Sequence, residues 1–506
     1  MKTFYVTTPI YYVNDVPHIG HAYTTVCADV LARFHRLQGE AVFFLTGTDE
    51  HGQKIAQKAA EQGMEPQAYA DMIVGKFKEL FEKLTISNDD FIRTTEERHI
   101  QACQAFWKRV QEKGDIYKAK YEGLYCTGCE SFKDEKDLVD GKCPDHNKAP
   151  EWLVEEDYFF AWSKYQKQLE ELFHEHKDFV EPKARYNEML AFLERGIQDI
   201  PISRSLISWG IPVPDDPDHV IYVWFDALIN YLTGIGWENP EKKELYNSFW
   251  PANVHLMAKD ILSKHALLWP AMLLSASISL PKKCFSHGFF TKDGMKISKS
   301  IGNVIDPHQL IDTYGVDAFR YFFLREWTFG EDGDYREERF AIRYNNDLAN
   351  DLGNLVSRVV AMLGKYTDGK VPVSTTLDQQ FEKRTTKVWA AWESSLERLA
   401  FKEALESIWE LITFANVYVD EQKPWVLAKA EDKIPIYNAL ASLVEIIRHI
   451  GLLLTPFIPE SSEKILTAIG SDALPLVLAP TDKAWGTSLQ GKLTTLPGVL
   501  FPKHQP

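Results

Sequence analysis

The chain is poor in cysteine, and basic residues are in the minority. Six cysteines among 506 residues, unevenly placed, do not make a disulfide scaffold. Lys and Arg number 56 against 72 Asp and Glu, a formal net charge of −16. That balance excludes a protein that coats nucleic acid by bulk charge. Apolar stretches such as Gly451 to Ile458 fall far short of the roughly 18 residues a membrane span needs, so no membrane partner is expected. Met1-Lys2-Thr3-Phe4-Tyr5-Val6 reads straight into a strand and offers no basic, apolar, cleavable leader, so a cytoplasmic location is expected. No Gly-x-Gly-x-x-Gly follows that strand, which counts against an NAD or FAD enzyme. Internal repeats and low-complexity tracts are missing as well. The 45% hydrophobic and 25% charged composition is that of a globular protein, at a length that suggests about three domains.

What is present reads as α/β at the start and α at the end. Phe4 and Val6 alternate with polar neighbours, as in a strand. A loop runs through Pro9 and Pro17, and a helix begins near Gly20. Val26, Val30, Leu31 and Phe34 fall on one face of it, with Gly39 as its C-terminal cap. Ala41-Val42-Phe43-Phe44-Leu45 is a continuous apolar run closing on Thr46-Gly47-Thr48-Asp49, the mark of a buried parallel strand. Strand, helix and strand in succession make a βαβ unit, which predicts a doubly wound α/β sheet. From about Tyr117 to Asp218, cysteines, loops and charge runs interrupt that rhythm. Val220-Ile221-Tyr222-Val223-Trp224-Phe225 then predicts a return to strand. The interrupted stretch reads as an insertion between two halves of one domain. From Asp351 onward the pattern is helical, with Leu352, Leu355, Val356, Val359, Met362 and Leu363 at helical spacing. Boundaries are expected at 1–116, 117–218, 219–350 and 351–506.

Cys126-Thr-Gly-Cys129, thirteen residues, then Cys143-Pro-Asp-His146 gives two short pairs of soft ligands. Each pair can grip one edge of a tetrahedron, and four ligands leave no open position. One structural zinc is expected, stabilising a segment too short to build its own core. The bland reading, unrelated buried cysteines, lacks the matched spacing.

His18-Ile19-Gly20-His21 lies between the first strand and the helix. Two histidines three apart on an opening helical turn face the same way, at a terminus whose free N–H groups favour phosphate. Gly20 leaves room for a flat base against the backbone. Alone, such a tetrapeptide occurs in ordinary helices. Lys296-Ile297-Ser298-Lys299-Ser300 follows a glycine-bearing turn, and two lysines there can close over a triphosphate. Alone, it is a solvated basic loop. Together the two are the paired nucleotide signatures of class I aminoacyl-tRNA synthetases.

With Phe4-Tyr-Val-Thr-Thr-Pro-Ile-Tyr-Tyr-Val-Asn, Thr46-Gly-Thr-Asp-Glu-His-Gly, Tyr222-Val-Trp-Phe-Asp-Ala, Lys259-Asp-Ile and Lys423-Pro-Trp, the chain resembles the bacterial-type methionyl-tRNA synthetases along essentially its whole length. Ile297 departs from the methionine usual in the family's lysine loop. The resemblance implies a Rossmann-like parallel sheet with a zinc-bearing connective insertion, then an α-helical anticodon-binding bundle. It implies activation of L-methionine by ATP with Mg²⁺, then transfer to tRNA(Met). By resemblance His18, Gly20, His21, Lys296, Ser298 and Lys299 bind the nucleotide, with His18, His21, Lys296 and Lys299 stabilising the transition state. Asp49 holds the substrate ammonium. Ile10, Tyr12, Trp224, Ala227, Leu228, Tyr231, Ile261 and His265 line the side-chain pocket, where aromatic rings suit a thioether. On periodicity alone these aromatics are core, Asp49 a helix cap and His265 a satisfied buried histidine. Asn354, Arg358 and Trp425 read the anticodon in the family; without the resemblance they form a solvated face. Some relatives carry an appended dimerising domain after the bundle. None follows here, so a monomer is expected.

Three other readings compete. A nucleotidyltransferase shares the His-x-Gly-His turn but is much shorter and has no lysine loop. A sibling synthetase for another amino acid, such as cysteine, would use zinc on the substrate. A non-catalytic tRNA-binding paralogue would not keep both histidines and both lysines. The charge is also uneven. Residues 351–506 hold 16 basic and 18 acidic residues, a net of −2, while Lys282–Ser300 holds five lysines and one aspartate, a net of +4.

Overall fold

The computed structural model describes residues 2–126, 131–133, 135–144, 147–205, 207–297, 302–374, 376–471, 474–486 and 489–504. Its central sheet is parallel throughout. The strands are β1 (Thr3–Thr7), β2 (Tyr11–Tyr12), β3 (Ala41–Asp49), β4 (Asp90–Arg93), β5 (Val180–Glu181), β6 (Val254–Ala258) and β7 (Cys284–His287). Across the sheet they run β4–β3–β1–β6–β7–β5, with β2 prolonging β1 along the same edge of β3. Val6 sits between Phe44 and Val254. Alternate side chains go to opposite faces. Phe4, Val6, Phe44 and Leu256 enter one core, while Tyr5, Phe43, Leu45 and Met257 enter the other. Being covered on both faces, β3 reads as an unbroken apolar run.

Helix α1 (Ile19–Leu37) connects β1 to β3 and buries Val26, Val30, Leu31 and Phe34. It ends at Gln38, and Gly39 follows at φ +78°, the left-handed position that glycine tolerates. From β1 the chain winds to β3 and β4 on one side; from β6 it winds to β7 on the other. The crevice at the carboxyl ends of β1 and β6 is therefore the switch point where such sheets bind ligands.

Strands Ile116–Cys126, Ser131–Lys133, Glu151–Phe160 and Ile200–Pro201 form a separate antiparallel sheet. Within the same interrupted stretch, β5 joins the edge of the central sheet beside β7. The expected strand at Val220–Phe225 is corrected: strand Asp216–Ile221 stops, and helix Val223–Leu228 begins after Tyr222. Apolar residues buried all round carry no period that separates helix from strand.

The C-terminal part is helical, through Asn354–Tyr366, Gln379–Glu397, Phe401–Gln422, Ile434–Leu454 and Pro459–Ala468. It shares the core on the α1 side of the sheet, as where Phe34 meets Trp392 edge-on with ring centroids 5.1 Å apart. Buried Arg320 fastens this junction. It donates to Asp29 Oδ2 (2.6 Å), Leu84 O (3.1 Å), Phe457 O (2.7 Å) and Pro456 O (2.9 Å). One expectation about apolar length is also corrected. Helix Ile434–Leu454 is long and apolar enough to cross a membrane, with mean hydropathy 1.3, but 89% of that window is buried as the bundle's central helix.

Candidate active site

A cleft of about 730 Å³ opens at the carboxyl ends of the sheet. The turn after β1 brings Ile10 to it, β2 brings Tyr12, and the end of β3 brings Asp49. Helix Val223–Leu228 supplies Trp224, Ala227 and Leu228, and the short helix Asn230–Thr233 after it supplies Tyr231. The segment after β6 supplies Ile261 and His265. His18, Gly20 and His21 line the same cleft from the start of α1, and Lys296 lines it from a hairpin. Ser298 and Lys299 lie outside the described residues. Lys54, Asn230, Asp260 and His287 also line the cleft. Neither spacing nor the quoted motifs single them out for that place, though Asp260 lies inside Lys259-Asp-Ile.

The two histidines cap their own helix. Gly20 N–H donates to His18 Nδ1 (3.0 Å), and His18 N–H donates to His21 Nδ1 (3.1 Å), a reciprocal capping box. An imidazole nitrogen that accepts carries no proton, so the hydrogen-bond pattern assigns the proton of each ring to Nε2. The rings stack at 3.8 Å. Burial, and then neighbouring His18, hold the His21 imidazole well below its ordinary pKa and thus neutral. The site thereby presents two neutral N–H donors at a helix N-terminus. Gly20 has a nearer reason to be glycine than room for a base: a Cβ there would lie 2.9 Å from the His18 ring.

Asp49 closes β3 at 8% exposure, and Gly52, not Asp49, occupies the cap position of the next helix. The turn that follows is rigid. Glu50, fully buried, accepts from Arg93 Nε (2.7 Å) and Nη2 (2.8 Å), Thr48 Oγ1 (2.6 Å) and Thr95 Oγ1 (2.6 Å). Gly47 is needed where β4 pairs alongside, since a Cβ would stand 2.0 Å from the Ile92 carbonyl oxygen. Elsewhere in the lining, His265 Nδ1–H donates to Ile261 O (3.0 Å), which leaves Nε2 to accept from the Tyr231 hydroxyl (2.7 Å). Burial pushes the His265 imidazole down to about 4, so it is neutral at physiological pH. His287, likewise pushed down to about 4 by burial, pairs through Nε2 with Thr24 Oγ1 (2.6 Å) on α1.

Lys296 ends a tight hairpin of Phe290–Lys292 and Met295–Lys296. Asp334 pins it by accepting from Gly294 N–H (2.7 Å) and Thr291 Oγ1 (2.8 Å), and the Lys296 side chain is exposed. Of the four expected metal ligands, Cys126 and Cys143 are 2% and 0% exposed and belong to neither hydrophobic core. Cys129 and His146 lie outside the described residues. In the helical part, Asn354 is exposed. Arg358 is half-buried and donates to Asp420 Oδ1 (2.7 Å), near the end of the helix that precedes Trp425. Trp425 is 42% exposed beside Lys423, whose φ of +45° breaks the helix.

Two family models match the chain. "tRNA synthetases class I (M)" covers residues 4–150 and 135–360, and "Anticodon binding domain of methionyl tRNA ligase" covers 371–505. A methionine–tRNA ligase of Caldanaerobacter subterraneus is 50% identical over 475 residues, 93% of this chain and 74% of that one. One from Synechocystis is 49% identical over 479 residues, 93% and 90% respectively. Among solved structures, Mycobacterium tuberculosis methionyl-tRNA synthetase in complex with methionyl-adenylate superposes with a TM-score of 0.94. It is 41% identical, over 99% of this chain and 100% of that one.

Proposed function

The chain belongs to the methionyl-tRNA synthetase family of class I aminoacyl-tRNA synthetases, and from that premise we propose how its cleft divides the work. The enzyme is a methionine–tRNA ligase. A methionine carboxylate oxygen attacks the α-phosphorus of ATP, forming the acyl–phosphate bond as the bond to pyrophosphate breaks. A hydroxyl of the terminal tRNA ribose then attacks the acyl carbon, and AMP leaves. No protein side chain becomes covalently attached, so catalysis rests on positioning and electrostatics.

In this reading His18 and His21 donate Nε2–H to the triphosphate. Lys296 and Lys299 neutralise charge there, Gly20 and Ser298 complete the nucleotide site, and Mg²⁺ accompanies the phosphates. Asp49 holds the methionine ammonium. Ile10, Tyr12, Trp224, Ala227, Leu228, Tyr231, Ile261 and His265 enclose its side chain. One observation carries the assignment: every described member of both sets lines the same cleft at the switch point of the sheet. The His265–Tyr231 pair keeps both polar groups satisfied, leaving an apolar wall for a thioether.

Residues 117–218 act as a connective insertion between the catalytic halves 1–116 and 219–350, and 351–506 form the anticodon domain. Cys126, Cys129, Cys143 and His146 hold a structural zinc, which cross-links the insertion. Two buried thiols that, among the described residues, belong to neither hydrophobic core, in a largely exposed segment, fit that group. Asn354, Arg358 and Trp425 meet the anticodon, with the half-exposed indole available to stack on a base. The working state we infer is a cytoplasmic monomer, and a stable dimer in a size measurement overturns it. Methionine-dependent ATP–pyrophosphate exchange, with charging of tRNA(Met), tests the whole. Exchange that ignores methionine, or follows another amino acid, refutes it.

A further inference from the structure

One buried charge lies outside the roles assigned so far. Asp226 is 0% exposed, on the helix that also carries Trp224, Ala227 and Leu228. Its two carboxylate oxygens serve different parts of the chain. His51 Nδ1–H donates to Oδ2 (2.7 Å), and His99 Nε2–H donates to Oδ1 (2.7 Å). His99 Nδ1 is 3.2 Å from Thr233 Oγ1, and the thiol of Cys103 lies 3.2 Å from His99 Nε2. His51 packs edge-on against Trp209, whose Nε1–H donates to Glu50 O (2.6 Å) and whose carbonyl accepts Gly52 N–H (3.2 Å). Burial disfavours the Asp226 charge, but His51 and then His99 outweigh it and hold the carboxyl below its ordinary range.

His99, Cys103 and Asp226 come close enough together to suggest a metal site, and their spacing argues against one. Two ligand atoms on a tetrahedral zinc stand about 3.3 Å apart, given bonds of roughly 2.0–2.1 Å. At 2.7 Å, His99 Nε2 and Asp226 Oδ1 share a proton instead. The cluster is a hydrogen-bonded hub.

Its place in the fold gives it a task. Asp49 and the cleft-lining side chains of helix Val223–Leu228 come from different elements, the end of β3 and a helix far along the chain. Glu50–Arg93 fastens the turn after Asp49 to β4 and so cannot set its distance from Trp224 or Leu228. Asp226–His51 is a charge-assisted contact that joins that turn to that helix. We infer that Asp226 is a positioning residue for the amino-acid substrate: through His51 it holds the ammonium-binding Asp49 and the side-chain wall of the pocket in one fixed spacing. The inference rests on the methionine–tRNA ligase reading and deepens it.

Kinetics of methionine-dependent exchange by the full chain test it. Asp226→Ala should raise KM for methionine roughly tenfold or more, because ångström-scale misplacement of a binding group is costly, while KM for ATP stays within about twofold. His51→Ala should do the same, and the double variant should be no worse than Asp226→Ala alone, since both act through one contact. Asp226→Asn should recover most of the loss, its amide accepting from one ring and donating to the other once that ring changes tautomer. If Asp226→Ala does not fold, His51→Gln carries the test through the same two KM values. A merely structural role would lower the melting temperature without this split. Unmoved KM for methionine, or both KM values rising together, overturns the inference. Wild-type protein without methionine-dependent exchange would instead refute the functional reading beneath it.

Discussion

Replacing His18 by asparagine separates two things the imidazole does at once. Its Nδ1 accepts the Gly20 N–H at 3.0 Å and so caps α1, while the proton on Nε2 is the donor assigned to the triphosphate. Asparagine is among the best N-caps, and its Oδ1 can take over the backbone bond, but it has nothing at the Nε2 position. His18→Asn should therefore leave unfolding free energy within about 0.5 kcal/mol of wild type, whereas His18→Ala loses the cap at about 1 kcal/mol. The catalytic cost should be the same for both. Removing one preorganised donor from developing charge costs about 2.7–4 kcal/mol, or roughly 10²–10³ in the rate of adenylate formation. Urea unfolding reads the first quantity, and methionine-dependent pyrophosphate exchange at saturating ATP reads the second. Exchange by His18→Asn within a few-fold of wild type would refute the donor role. Equal destabilisation by asparagine and alanine would refute the cap.

Other parts of the molecule give independent tests. Trp425→Ala should leave exchange untouched and lower kcat/KM for tRNA charging roughly 5- to 150-fold, the worth of about 1–3 kcal/mol of base stacking; a parallel loss of exchange would count against it. Metal analysis should find one zinc per chain, and Cys126→Ser should reduce that content and lower the melting temperature, so full retention of zinc would remove the cysteine from the ligand set. Asp29 is fully buried; burial opposes its charge, but Arg320 and then Arg33 outweigh it and bring its carboxyl down to about 2. Against an unfolded value of about 3.9, its contribution is complete above that value and is lost as pH falls from about 4 to about 2. Asp29→Asn should flatten the acid limb of the stability curve in that window, and an unchanged slope would show that the carboxyl does not titrate there.

The features legible in the sequence are those written in neighbouring residues. The alternation of Phe4 and Val6, the stripe on α1 and the apolar run of β3 are local patterns, and each became the element it predicted. Helix Val223–Leu228 was not legible as a helix, because a run buried on every side has no polar face to reveal its period. The burial of Ile434–Leu454 was likewise hidden. Its composition equally suits a bilayer, and only the helices around it show which apolar medium it occupies. The polar scaffold of the cleft is invisible for a different reason. His51 and Asp226 are 175 residues apart and His99 and Asp226 are 127, distances over which no pattern is read. Yet these contacts explain why the motifs contain what they do. In Thr46-Gly-Thr-Asp-Glu-His-Gly, the glycine lets β4 pass, the glutamate holds Arg93 and the histidine holds Asp226, leaving the aspartate to face the cleft. The net charge of −16 is qualified by the same contacts. Asp29, Glu50 and Asp226 are fully buried against arginine or histidine partners, so part of the acidic excess never faces a substrate. The end of the cleft proposed for the nucleotide is instead lined by two imidazoles and a lysine, the local chemistry to which a triphosphate would respond.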